Sequence, residues 1–247
     1  MIDRNTRVGS ETGPGSEGLR RQWGADVRSD IKHLRREQLI EATIDTIAKH
    51  GFRKTTLSQV AKRAKLSQGI VNFYFKTKDG LLLETLKFLA EEYEARWKRA
   101  VAASGPDPVA ALDSIIETDL GHEVCNRRKV SVWVAFWGES QSQPQFRRLC
   151  SKLSDDYLAQ TREIILRIID RGGYERHDAD AIAHGLNAMI NGLWLDLMID
   201  PKHFDREAAK RACRNYLASV FPAEFAAIGP PVAASRRAGW SGRGYGG

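Results

Sequence analysis

The chain has 247 residues, 42% hydrophobic and 28% charged, with 38 Lys and Arg against 31 Asp and Glu for a net charge of +7. That is enough apolar mass for one or two packed domains and too much for a wholly disordered chain, while no apolar run approaches the roughly 20 residues of a membrane-spanning helix. The first residues hold no apolar signal core, and Cys125, Cys150 and Cys213 are odd in number, far apart and without a CxxC pair, so free buried thiols, no metal site and a cytoplasmic protein are expected.

Residues 1–30 are polar, Gly-containing and aperiodic, and are expected to form a disordered tail. Leu39, Ile40, Ile44, Ile47 and Ala48 then recur at three and four residues and stop at Gly51, which predicts a first helix. Thr56 followed by Gln59 is a capping box opening a short second helix to about Ala64. Ser67 caps a third from Gln68 to about Phe75, and a longer fourth starts at Lys78 or Asp79 and reaches about Val101. Five further helices are predicted near 107–121, 125–139, 144–171, 176–199 and 205–220, punctuated by Pro108, Pro144, Gly172-Gly173, Pro201 and Pro222. The expected fold class is all-α, about nine helices. It divides into a three-helix head at 31–78, a second helical domain at 79–222 and a second disordered tail at 223–247.

Charge divides the chain the same way. Residues 1–31 are neutral, residues 32–78 carry eleven Lys and Arg against three acids, and the remainder sums to −1. One short basic segment joined to a neutral domain is the footprint of a polyanion-binding module, although a solvated basic face has the same composition. Two short helices joined by a tight turn within that segment form a helix-turn-helix candidate. Val60, Ala61, Leu66, Ile70 and Val71 are apolar where those helices must pack, leaving Gln68, Asn72 and Phe73 outward, with Gly69 permitting close approach. Amides such as Gln and Asn pair bidentately with adenine edges, and Lys62, Arg63, Lys65, Lys76 and Lys78 supply charge for phosphate.

The second domain offers an aromatic constellation. Trp133 and Trp137 are four residues apart with Glu139 nearby, and Trp194 lies in another helix beside Asn191. Indole faces and a carboxylate suit a quaternary ammonium, which donates no hydrogen bond. Tryptophans at i and i+4 in a helical bundle are equally the pattern of core packing, and by spacing alone core is the commoner outcome. Leu186, Met189, Ile190, Leu193 and Leu197, with Ala208, Ala212, Tyr216 and Leu217, form apolar stripes on the last two helices; such stripes make core or interface.

The run from Thr56 to Leu81, TLSQVAKRAKLSQGIVNFYFKTKDGL, resembles the DNA-binding signature of the tetracycline-repressor (TetR) family. The resemblance implies a homodimeric repressor of a near-palindromic double-stranded operator, with Thr56, Tyr74 and Lys78 on the phosphate backbone and the helix capped by Ser67 reading bases. It also implies that residues 79–222 are a ligand-binding and dimerisation domain whose last two helices pair between subunits. Lys65 stands where that family usually has Gly, which requires a left-handed backbone or an altered turn. The run from Ser67 to Leu81, the run from Trp133 to Trp137 followed by Gln143-Pro144, and the run from Ile190 to Trp194 look like the BetI branch of that family, over residues 33–220. This similarity implies choline as effector and control of choline uptake and oxidation to glycine betaine. The alternative effector is an aromatic or lipophilic cation expelled by an exporter.

No enzyme is expected and no cofactor. Gly13 to Gly18 has dinucleotide-loop spacing but neither strand nor helix around it, and HExxH, P-loop and GxSxG motifs are absent. His122 with Glu123, and His177 with Asp178, are adjacent residues that point to different sides of a helix, the pattern of surface groups.

Overall fold

The computed structural model describes residues 15–225, with side chains from Asp30 onward. Ten helices and no strands occur among the described residues. The described residues divide into two compact units, one ending at Phe88 and the other starting at Leu89.

In the first unit, α1 (Gly15–His50) packs on α2 (Leu57–Ala64) and α2 on α3 (Gln68–Phe75), followed by the first turns of α4 (Lys78–Ala103). Helix α1 starts at Gly15, so residues 15–30 continue a helix where a tail was expected, and residues 1–14 lie outside the described residues. Its buried stripe is Leu39, Ile40, Ile44 and Ile47, and Val60, Ala61, Val71, Leu82 and Leu86 are the buried apolar positions of the following three helices. Thr43, Thr46 and Thr85 are buried in this core with their hydroxyls returned to the carbonyls of Leu39, Ala42 and Leu81 at 2.7, 2.6 and 2.8 Å, which satisfies them without a partner helix. Gln38 donates to the Ala64 carbonyl at 2.8 Å, closing the end of α2.

In the second unit, the later part of α4 joins α5 (Pro108–Asp119), α6 (Arg127–Glu139), α7 (Pro144–Gly172), α8 (Ala179–Ile199), α9 (Arg206–Val220) and the short α10 (Pro222–Phe225). Asp107, Asn126, Asp178 and Asp205 cap four of these with side-chain acceptors, so each start is written locally. Helix α10 carries the fold three residues into the expected C-terminal tail, to Phe225, and residues 226–247 lie outside the described residues. Leu186, Ile190, Leu197 and Leu217 are buried within the single chain. Those stripe positions are therefore intramolecular core, while Met189, Leu193, Ala208, Ala212 and Tyr216 are only half covered. The outward side of α8 carries Ala188, Gly192, Leu195 and Ile199, the last 76% exposed.

Two smaller expectations change. His177 is half-buried, its Nε2 2.8 Å from the Val220 carbonyl and its ring stacked on Phe221, so it is a packing group and not a surface one. Cys125 and Cys213 are buried free thiols, whereas Cys150 is half-buried.

Candidate nucleic-acid interface and effector cavity

The head is built from local signals. Thr56 accepts from the Gln59 amide at 3.2 Å, and the Gln59 side chain takes the Thr56 N–H at 3.0 Å, completing the capping box that starts α2. Lys65 ends α2 in the left-handed conformation (φ 54, ψ 40), and the Leu66 N–H returns to the Ala61 carbonyl at 2.9 Å. The turn keeps the geometry that glycine provides more cheaply, at a steric cost of about 1–2 kcal/mol. Ser67 caps α3 through the Ile70 N–H at 3.4 Å.

Helix α3 buries Val71 and Phe75 and exposes Gln68, Gly69, Asn72 and Phe73, with Tyr74 half covered. Phe73 is 73% exposed, an unusual position for a large apolar ring in a folded head. Lys62, Lys65 and Lys76 flank this face in solvent. Two of the expected phosphate groups are engaged within the protein: Arg63 pairs with Asp45 at 2.7 Å, and Lys78 Nζ donates to the carbonyls of Arg53 and Phe52 at 3.2 and 3.4 Å. An ammonium has three donors, so two carbonyls leave Lys78 one more to give.

The second unit holds a half-open cavity of about 120 Å³ walled by Trp133, Trp137, Trp194, Tyr93 and Tyr157 and edged by Asn187 and Asn191. Tyr93 is central, its ring 6.2 Å from Trp133, 5.9 Å from Trp194 and 6.1 Å from Tyr157. Trp137 and Trp194 lie parallel, 6.1 Å apart with 6° between their planes. Four of the five expected ligand-site residues thus meet at one cavity: Trp133, Trp137, Asn191 and Trp194.

Glu139 does not line it. Two positions beyond Trp137, it projects from another side of α6, where its carboxylate accepts from the Ser142 hydroxyl at 3.3 Å. The carboxylate at this site is Asp119, which sequence reasoning missed. It is fully buried and accepts from the Tyr157 hydroxyl at 2.6 Å and the Tyr93 hydroxyl at 2.8 Å, while the Trp194 N–H donates to its backbone carbonyl at 2.9 Å. Burial raises its pKa to about 7 against the lowering effect of the two phenols. Burial and the neighbouring carboxylate push both tyrosines well above their usual range, so they remain neutral donors. A signal for Asp119 did exist: Leu112, Ile115 and Ile116 mark the buried stripe of α5, and residue 119 falls on it, an acid where the period calls for an apolar group.

Residues 39–85 match the family of bacterial regulatory proteins, tetR family, and residues 108–222 match the family of BetI-type transcriptional repressor C-terminal domains. A relative from Paraburkholderia xenovorans (strain LB400), the HTH-type transcriptional regulator BetI, is 34% identical over 191 residues, covering 76% of this chain and 93% of the relative. The chain is a BetI-type regulator of the TetR family. Among solved structures, this regulator is similar to a putative transcriptional regulator from Pseudomonas aeruginosa PAO1 (TM-score 0.70, 22% identity, 79% of this chain and 94% of that one). It also shares its fold with a putative transcriptional regulator from Saccharomonospora viridis in complex with choline (TM-score 0.62, 22% identity, 74% and 94%). The matched families are transcriptional regulators and not enzymes. TetR-family regulators bind DNA operators and answer small-molecule effectors. No helix among the described residues is long and apolar enough to cross a membrane, and no group of three or more His, Cys, Asp or Glu there could hold a metal ion.

Proposed function

We propose that this regulator is a homodimeric repressor whose α3 helices read a near-palindromic operator and which leaves DNA when choline, or a quaternary ammonium of similar size, enters the aromatic cavity, so controlling choline uptake and oxidation to glycine betaine. The observation that carries it is the convergence of five aromatic rings, from α4, α6, α7 and α8, on one small cavity. Aromatic faces attract a cation that cannot hydrogen-bond, each contact contributing about 0.5–2 kcal/mol. A cavity of about 150 Å³ takes benzene; about 120 Å³ therefore suits a ligand of choline's size more than a polycyclic exporter substrate. The name of the relative and the choline bound to the Saccharomonospora protein support the same effector.

On the DNA side, Gln68, Asn72 and Phe73 face outward for base edges, Gly69 keeps the helix surface low, and Thr56, Ser67, Tyr74 and Lys78 hold the backbone. The outward face of α8, with Ala188, Gly192, Leu195 and Ile199, is the surface for the second subunit. Its small residues let helices approach closely.

Lys78→Ala weakens binding to every sequence and lowers the salt slope by about 0.9; an unchanged slope measured by anisotropy titration would remove Lys78 from phosphate contact. Gln68→Ala or Asn72→Ala instead changes which operator is preferred, by about 1–3 kcal/mol of discrimination at one base pair. Selection from a randomised site that returns the wild-type consensus would count against base reading.

The deciding experiment is a gel shift of the full chain on its own upstream region with millimolar choline, and with glycine betaine as a cation cancelled by its carboxylate. Release by choline alone supports the proposal. Retention on DNA with both ligands sends the effector search elsewhere and leaves the repressor intact.

A further inference from the structure

The aromatic rings explain why a methylated ammonium is welcome but not why a neutral ligand of the same shape should be refused. The wall residues include no charged side chain. Directly behind two of those walls stands Asp119, a fully buried carboxylate whose two oxygens are held by the phenols of Tyr93 and Tyr157. We infer that Asp119 is the counter-charge of the effector cavity: acting through the rings of Tyr93 and Tyr157, it makes the cavity select cations over neutral isosteres and zwitterions without touching the ligand. This rests on the cavity being the effector site proposed above.

Three observations carry it. First, both phenolic protons are committed to Asp119, so these tyrosines present ring faces and not donors to the cavity, and a phenol bonded to a carboxylate has a more electron-rich ring for a cation. Second, among the described residues no ammonium or guanidinium is bonded to Asp119. The groups that face it are Tyr93 of α4, Tyr157 of α7, the Trp194 indole of α8 and Cys213 of α9, whose thiol burial pushes up to about 11 with Asp119 adding to the rise. Arg206 gives its two terminal nitrogens to the carbonyls of Leu120 and Cys125, Arg214 beside Cys213 is paired with Asp113 and Glu117, and the Cys125 thiol is also raised, first by burial. A buried charge without an opposite partner is costly, and an organic cation entering the cavity is the partner that relieves it. Third, the Trp194 N–H bonded to the Asp119 carbonyl ties a third wall to the same residue, so the carboxylate and the cage are positioned together.

Because the carboxylate titrates near neutrality in the empty protein, cation entry is linked to proton loss. A cation stabilises the ionised form, so affinity is full when Asp119 is deprotonated and falls as pH drops through about 7.

The test is calorimetric titration of the full-length protein with choline, tetramethylammonium and the neutral isostere 3,3-dimethylbutan-1-ol at pH 6, 7 and 8, in two buffers of different ionisation enthalpy. The wild type is expected to bind choline about tenfold more weakly at pH 6 than at pH 8, to release up to one proton on binding, and to show no such trend with the neutral alcohol. Asp119→Asn should lose at least tenfold in choline affinity at pH 8, with a flat pH profile and with the neutral alcohol bound as well as or better than before. Tyr157→Phe removes a hydrogen bond that favours the carboxylate, so it should move the midpoint of the choline profile to higher pH, a shift that a merely structural tyrosine would not produce. Choline binding by the wild type without proton release, or undiminished in Asp119→Asn, would overturn the counter-charge. If the wild type binds neither cation at any pH, it is the effector reading itself that fails, and the two failures are thereby told apart.

Discussion

Asp119→Asn is expected to raise the melting temperature of the ligand-free protein at pH 8 by on the order of 10 °C. The native carboxyl holds its proton up to about pH 7, whereas in the unfolded chain it loses it near 3.8. Between those values the native state binds more protons than the unfolded state, so stability falls as pH rises. Below about pH 4 both states are protonated and above about pH 8 both are ionised, so Asp119 adds no further pH dependence there. About three units at 1.36 kcal/mol each is roughly 4 kcal/mol, an upper figure, and 1 kcal/mol moves a domain of this size by about 2–4 °C. Asparagine has the same shape and no charge, and its amide can accept from one phenol and donate to the other. Thermal unfolding of both proteins followed by circular dichroism from pH 4 to pH 8 isolates the effect, since all other titrations are shared. The gap should open between pH 4 and pH 7; a gap constant across that range would show that Asp119 is not buried as a proton-holding acid. A stabilised variant that has lost cation affinity would be a direct case of stability exchanged for function.

Trp137→Ala is expected to weaken choline binding about 30-fold while leaving the helical content and ligand-free operator affinity unchanged. Trp137 is only half-buried, unlike Trp133 and Trp194, which are each 3% exposed. Its ring stands parallel to Trp194 across 6.1 Å as a cavity wall. Removing it should therefore cost less in packing than the roughly 3–5 kcal/mol of a fully buried tryptophan, and the loss falls on the ligand. One desolvated cation-π contact is about 2 kcal/mol, which is the 30-fold. Trp137→Phe keeps an aromatic face and should recover most of it. Fluorescence titration of the three proteins with choline separates the outcomes: equal affinity in all three would make Trp137 a packing residue, and loss in Phe as well as Ala would point to shape and not to the ring's charge distribution.

Much of the regulator is legible along the chain because the determinants of its head are local. The Thr56–Gln59 box, the Ser67 cap and the apolar spacing of Val60, Ala61 and Val71 act within one or two turns, and α2 and α3 begin and end where those signals place them. Lys65 illustrates the same locality, since a five-residue return from Leu66 to Ala61 dictates its left-handed backbone whatever surrounds it. The tryptophan spacing likewise announced one wall of the cavity. What no period announces is which distant side chains close it. Tyr93 and Tyr157 reach Asp119 across separations of 26 and 38 residues, and Trp194 across 75. Glu139 is near Trp137 in sequence, but two residues along a helix is the wrong side. Helical periodicity states which face of an element is buried and is silent on which neighbour buries it. Hence α5 by itself shows an acid on its apolar stripe, and only the packed bundle turns that acid into the partner of two phenols.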